Sequence, residues 1–324
     1  MQVCLTAEQE QLADAERAWL ERHDPIAKVR KHLDNNLIRL DRRAAEHAEE
    51  SGLLELLTAE VGGTHTDLAV CSEAHGYAAS SLPVADLAIA RWVLEQADIA
   101  PPERSVVGVA RAVGQTTHPI PMAADMDFLV AVREATDGDS VAVVANPALV
   151  SMATLDLTRQ WAKLDLSAAA PKWIPAPAGT APRVRAALAL HRAIDALGGA
   201  ARLLEMTVAY AGQREQFGAP IGSFQAVKHH CSDMAIGVEA GRATLWAAAL
   251  ALDSATEDGW KPAVSAAAAY AKSATSQVAG TALQVHGGIG FTWEHDLHLF
   301  LRRIKVDEAF DGSVAEHRAA LVPA

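Results

Sequence analysis

Three residues in the run RLLEMTVAYAGQREQFGAPIGSFQAVKHHCSDM, from Arg202 to Met234, have the types and spacing to hold an anionic ligand. Arg214 supplies a fixed cation, Phe217 an aromatic face and Gln225 an amide, a set suited to a partly aromatic anion such as a dinucleotide. A second cluster, Gln284, Gly287 and Gly288 in QVHGGIGF, offers backbone N–H groups that a phosphate can reach because no Cβ stands in the way, and a helix terminus can add its dipole. Taken alone, Arg214 reads as a solvated helix-terminal cation and the glycine pair as a plain helix end. His286 reads as a neighbour of the second cluster rather than an acid or base.

The elements that must position these residues follow from hydrophobic period. Leu203, Leu204, Met206, Val208 and Ala209 recur at helical spacing, REQFG breaks the pattern, a Pro-Ile-Gly turn follows, and a second amphipathic run begins at Phe224. Two antiparallel helices joined by a polar elbow are the simplest arrangement. Upstream, residues 6–98 read as helices: Thr6 and Gln9 have capping-box spacing before Leu12, Ala15, Trp19 and Leu20, a helix ends near Glu50, and another runs from Asp67 to Ala79. From Ser105 to Pro171 the period shortens to strand-like runs, SVVGVARAV, DFLVAVREA, SVAVVANP and WAKLDLS, which fit a small antiparallel barrel or sandwich with Trp161 and Trp173 in its core or interface. PAPAGTAP, from Pro175 to Pro182, reads as a linker, and the alanine-rich runs beyond it as long helices packed in a four-helix bundle. The fold class is α+β, mainly α, with a helical unit over residues 1–103, a shortened β unit over 104–176 and a helical bundle over 177–324.

The chain has 324 residues, half of them apolar, and a formal charge of -12, which argues against nucleic acid or an anionic membrane as the main partner. Any anionic ligand must be held by local cations. Cys4, Cys71 and Cys231 are odd in number and far apart, so neither a disulfide framework nor a metal site is indicated, and a reducing compartment is expected. No apolar leader and no uninterrupted apolar stretch of membrane-spanning length stand out, so a soluble, cytoplasmic protein is expected.

The pattern Y-x-x-x-R-x-x-F-G-x-P-I-x-x-F-Q-x-V-x-x-x-x-x-D-M, from Tyr210 to Met234, resembles the C-terminal signature of the acyl-CoA dehydrogenase family. QVHGGIGFTWEHDLHLFLRR resembles that family's second cofactor stretch, FDGSVAEHR its catalytic loop, and Gly52, Leu53, Leu56, Gly62 and Gly63 its N-terminal helical domain. The resemblance implies FAD as cofactor, with Arg214, Phe217 and Gln225 reaching across a subunit interface to a partner's FAD, and Gln284, Gly287, Gly288 and Ser313 as further contacts. Asp311 stands where most members carry a glutamate that removes the α-proton of an acyl-CoA while the β-hydrogen passes as hydride to flavin. An aspartate reaches about 1.5 Å less far, and a misplacement of about 1 Å can cost on the order of a hundredfold in rate. Asp311 is therefore a repositioned base, a relict, or a loop residue capping the next turn.

The flavin-facing strand motifs of the family's middle domain are not recognisable in GVARAVGQTTHPIP, no glutamate occurs near Ala187 to Ala189, and Ala315 stands where an amide is usual. Elements that clasp a neighbour's FAD are kept, while those that seat a subunit's own are altered. The resemblance thus implies the smaller subunit of a heteromeric acyl-CoA dehydrogenase, α2β2, with a larger homologous subunit as partner, a steroid side-chain CoA ester as substrate and a separate electron acceptor. The alternatives are a non-catalytic structural subunit, and a self-sufficient homotetramer with Asp311 as base.

Overall fold

In a computed structural model the chain is described over residues 5–23, 25–35, 38–101, 105–135, 138–254 and 259–322. Cys4 lies outside them. Five helices come first: α1 (Ala7–His23), α2 (Pro25–Asp34), α3 (Arg42–Glu50), α4 (His65–Tyr77) and α5 (Val84–Gln96). The capping box expected before α1 is formed, with Thr6 Oγ1 accepting from the Gln9 N–H at 3.2 Å and Gln9 Oε1 accepting from the Thr6 N–H at 3.0 Å. Helix α4 starts and ends two residues earlier than the apolar pattern suggests. A second capping box sets its start, Thr64 Oγ1 taking the Asp67 N–H and the Asp67 carboxylate taking the Thr64 N–H.

The middle of the chain contains β1 (Val107–Val113), β2 (Thr116–Thr117), β3 (Ile120–Pro121), β4 (Phe128–Arg133), β5 (Ser140–Ala145), β6 (Leu149–Met152), β7 (Trp161–Leu164), the short α6 (Leu166–Ala169) and β8 (Ile174–Pro175). The four strand-like runs all carry strands. Their assembly differs from a closed antiparallel barrel: one sheet has the order β2-β1-β4-β5-β8, the other β3-β7-β6, and β1 and β4 run parallel. The segment from Gly114 to Asp127 is long enough for the crossover that a parallel pair needs, and it carries β2 and β3 on the way. A single bridge, Thr116 to Asp165, ties the sheets at one corner. Ile174 and Pro175 extend the larger sheet and the next helix begins at Thr180, so the linker is shorter than its composition suggests.

The C-terminal part is α7 (Thr180–Gln213), a hairpin of β9 (Glu215–Gln216) and β10 (Ala219–Pro220), then α8 (Gln225–Asp253), α9 (Trp260–His286), α10 (Leu297–Ala309) and α11 (Val314–Ala319). Helices α7 to α10 make the expected four-helix bundle. Helix α7 also packs on α4, and two glycines set how closely. A Cβ on Gly76 would stand 2.1 Å from the Asp195 carbonyl oxygen, and one on Gly198 would stand 2.1 Å from that of Glu73. Each glycine costs helix stability of about 1 kcal/mol relative to alanine, and close contact between the backbones offsets it.

Among the described residues α8 is long and apolar enough to cross a membrane by length and composition only, although Lys228, Asp233, Glu239 and Arg242 interrupt its apolar run. Met234, Val238, Leu245, Ala248 and Leu252 form its buried stripe against the bundle, while Ile236, 65 % exposed, and Leu250 stand on the outer face.

Gly198→Ala is expected to destabilise the fold by about 2–3 kcal/mol, because the added methyl meets backbone that cannot rotate away. Thermal melting would register it as a lower midpoint, with an exposed control such as Gly212→Ala showing no loss.

Candidate functional site

At the end of α7 the backbone of Arg214 turns extended, its N–H still bonded to the Tyr210 carbonyl, and the β9–β10 hairpin reverses the chain. The two central residues of that hairpin, Phe217 (φ 56°) and Gly218 (φ 79°), both lie in the left-handed region. This is the geometry of a type I′ turn. For phenylalanine it costs about 1–2 kcal/mol, and the ring so placed is 95 % exposed, with only an edge contact to Phe224 at 6.2 Å between centroids. A strained backbone that presents a large apolar ring to solvent gives nothing back to the isolated fold.

The other elbow residues share that surface. Arg214 and Gln225 are exposed, and among the described residues the Arg214 guanidinium has no ion pair. Gln225 opens α8, whose first turn has no capping side chain and no acidic residue, so the positive end of a 29-residue helix is left uncompensated. Tyr210 stacks on His286 at 4.5 Å, bringing the end of α9 to the same end of the bundle. There Gln284 is exposed, and Gly287 (φ 59°, ψ -138°) and Gly288 meet nothing within 4 Å where a Cβ would be. His286 is buried, its Nδ1–H donates to the Ala282 carbonyl (2.8 Å), and burial lowers its pKa, as fits a packing residue.

Asp311 is elsewhere. It lies between α10 and α11, some 33 Å along α7 from the elbow if measured as the 22 residues from Arg192 to Arg214 at about 1.5 Å each. Its side chain is 1 % exposed and faces Arg192 (Nε to Oδ2, 3.3 Å), Arg111 (Nη2 to Oδ1, 3.9 Å) and His118 (Nε2 to Oδ1, 3.9 Å). Lys272, buried within α9, donates to the carbonyls of Phe310 and Gly312 at 2.6 Å each and so fixes the loop that carries Asp311. Burial pulls the Lys272 amine down to about 8, against the attraction of Asp311 and Asp307.

Burial pushes Asp311 up, but His118, Arg192, Arg111 and Lys272 outweigh it and hold the group below the usual carboxylate range. A general base near neutral pH needs the opposite shift. Ser313 is likewise engaged: it caps α11 in a capping box, its hydroxyl accepting from the Glu316 N–H at 3.3 Å and donating to the Glu316 carboxylate at 2.8 Å. Asp311 lines a cleft of about 490 Å³ that is rimmed by Arg111, Arg185, Lys261 and His317. Inward, between α5 and α7, only about 10 Å³ is free among Asp86, Arg159, Arg192 and Asp195, room for about one water.

Arg192 also binds Asp86 (Nη2 to Oδ1, 3.0 Å), and one turn on along α7 Asp195 takes both Arg303 (2.7 Å to each oxygen) and Arg159 (2.9 Å). Asp307 lies beside this set, and burial and the charge of Asp195 push its carboxyl well up, which favours its neutral form. Sequence reasoning missed Arg192, Asp86, Arg111, His118 and Lys272. The available signal was phase: Arg192 and Lys272 are lone cations at buried positions of alanine-rich helices.

Two carboxylates therefore respond oppositely to neutralisation. Asp311→Asn removes a partner of buried Arg192 and is expected to cost about 3–5 kcal/mol at pH 7, whereas Asp307→Asn replaces a group whose charged form is disfavoured and is expected to hold or raise stability. The pH signs follow from the shifts. The lowered pKa of Asp311 gives stability that is present above about pH 3.9 and lost as pH falls through the folded value. The raised pKa of Asp307 gives a loss as pH rises above about 3.9, so the advantage of Asp307→Asn over the parent should grow from pH 5 to pH 8 in denaturant titrations.

The acyl-CoA dehydrogenase C-terminal domain family matches residues 185–322. Acyl-CoA dehydrogenase IpdE2 of Mycobacterium tuberculosis is 41% identical over 154 residues, 47% of this chain and 44% of that protein. IpdE2 of Mycolicibacterium smegmatis is 43% identical over 115 residues, 36% of this chain and 35% of that protein. The matched part thus spans less than half the length of these curated relatives. Among solved structures, a chain of the ChsE4-ChsE5 complex from Mycobacterium tuberculosis superposes with a TM-score of 0.81 at 24% identity over 100% of both chains. A variant of the Tcur3481-Tcur3483 steroid ACAD superposes with a TM-score of 0.84 at 21% identity, covering 97% of this chain and 96% of that one. At such identities the structural likeness establishes the fold, and the sequence match establishes the C-terminal domain. Residues 185–322 thus belong to the acyl-CoA dehydrogenase C-terminal domain family, and the chain as a whole has the fold of these solved structures.

Proposed function

We propose that this chain is a subunit of an FAD-dependent acyl-CoA dehydrogenase and that it supplies the outer half of an FAD site seated mainly in a homologous partner subunit. The single observation that carries this reading is the separation of the two half-sites. The elbow is open and uncompensated at one end of the bundle, while the carboxylate in the base position is ion-paired to Arg192, far along α7, and held in its charged form.

The elbow fits such a group. Arg214 has free donors for a pyrophosphate, the bare N-terminus of α8 at Gln225 adds fixed positive charge, Phe217 offers a face to a ring, and Gly287 and Gly288 leave backbone open to approach. FAD, when bound, accepts the β-hydrogen of the acyl thioester as hydride as an α,β double bond forms. In this reading the residues of this chain bind and orient, and the α-proton is taken by a carboxylate of the partner. Asp311 serves as a buried anion that neutralises Arg192 and Arg111.

An α2β2 assembly acting on a steroid side-chain CoA ester belongs to the same proposal. Its support is the likeness to structures described as a steroid ACAD and as a two-component ChsE4-ChsE5 complex, and the exposed apolar face of α8, which suits a helix of another subunit. A reducing, cytoplasmic setting and a separate electron acceptor complete it, the free thiols of Cys71 and Cys231 being compatible with that setting.

Purified alone, the chain should be colourless. Co-purified with a larger subunit it should yield a yellow complex, and Arg214→Ala should weaken FAD retention by about ten- to a hundredfold, the worth of a charged hydrogen bond. Turnover per bound FAD in the Asp311→Asn complex should stay within about twofold of the parent, since no proton transfer is assigned to that residue. A chain that carries one FAD by itself, or an Asp311→Asn complex that keeps its FAD and loses turnover, sinks the proposal.

A further inference from the structure

Away from both half-sites a cavity of about 540 Å³ opens between α1, α2, α4, α7 and α10. It is as large as a ligand pocket needs to be and lies about 15 Å along α7 from Arg192, counting ten residues to Arg202. Its floor is apolar: Leu20, Ala74 and Phe300 are buried, and Ile26 and Met206 line the walls. Its rim is charged, and the charges are unevenly matched.

Tyr77 is the centre of that rim. Two guanidinium groups stand against its ring, Arg202 at 5.3 Å and Arg17 at 5.8 Å from the centroid. Glu205 accepts from the Tyr77 hydroxyl and from Arg202 at 3.1 Å, so one carboxylate serves that side. The other carboxylates close by are taken: Asp296 holds Arg30 at 2.6 Å, and Glu73 receives Arg242 through three contacts of 2.8–3.3 Å. Arg17 is left with a 3.7 Å approach to Glu73, too long for a hydrogen bond, and is 49 % exposed. Glu21, one turn further along α1, is also on the wall and disfavours negative charge on its own side. An apolar body on the floor with an anionic end at Arg17 and Arg202 satisfies all of these constraints.

We infer that this cavity is a binding site for an amphipathic organic anion, an alkyl carboxylate in the simplest case, with its chain against Leu20, Met206 and Phe300 and its head between Arg17 and Arg202. The site is independent of the flavin and of the Asp311 cleft.

Calorimetric titration of the full chain with decanoate and with 1-decanol tests this. Decanoate should bind saturably, Arg17→Ala should weaken it by about tenfold or more, and decanol affinity should be the same in the parent and in Arg17→Ala. Ala201→Trp, which fills the cavity, should abolish both. Arg17 is exposed on α1, so its variant keeps the test decisive should the tryptophan variant not fold. The inference is overturned if decanoate shows no saturable binding, if Arg17→Ala leaves its affinity unchanged, or if Lys261→Ala on the rim of the other cleft removes it.

Discussion

A buried charge must be paired, and in this fold the pairing joins every part of the chain. Arg192 and Asp195 of α7 bind Asp86 from α5, Arg159 from the segment before β7 and Asp311 from the loop after α10. Arg303 of α10 binds Asp195 and also donates to the Ser80 carbonyl and the Thr158 hydroxyl. Each ion is expensive to remove from water, and removal of one partner leaves another unpaired in a medium that solvates it poorly. The helical unit, the sheets and the bundle therefore cannot shift relative to one another without breaking charge pairs. The glycine contact between α4 and α7 brings the backbones close enough for the same set to close.

This constraint decides what Asp311 can do. A proton-abstracting carboxylate is useful when its charged form is moderately disfavoured and its oxygen faces a substrate. Here four cationic or potentially cationic groups favour the charged form; Arg192 donates to Oδ2, while Oδ1 has no hydrogen-bond partner among the described residues. The space beyond Arg192, among Asp86, Arg159 and Asp195, holds about one water, and the only large cleft that Asp311 lines among the described residues has a charged rim. Stability and proton abstraction ask different things of the same position, and the charges around Asp311 favour its ionised form.

The opposite end of the bundle shows the reverse arrangement. Phe217 is held in a strained backbone and left in water, the first turn of α8 is bare, and the outer face of α8 keeps Ile236 exposed. None of these features lowers the energy of the isolated chain, and all become favourable when an anion and an apolar surface arrive together. The molecule is charge-paired around Asp311 and open around the elbow of Arg214, Phe217 and Gln225.

Sequence alone determined the element types, because apolar period and capping chemistry are local: α7, α8 and α9 lie where the alanine-rich runs place them, and Thr6 with Gln9 forms its box as spaced. It also determined the elbow, since Arg214, Phe217 and Gln225 are within twelve positions of one another around a turn whose residues dictate its shape. Tertiary structure alone decided that β1 and β4 pair in parallel, because strand direction depends on the path of the connection rather than on the strands. It alone decided the state of Asp311 as well. The groups that set its charge, Arg111, His118, Arg192 and Lys272, are between 39 and 200 positions away in the chain, and electrostatic coupling depends on distance in space, which no local pattern records.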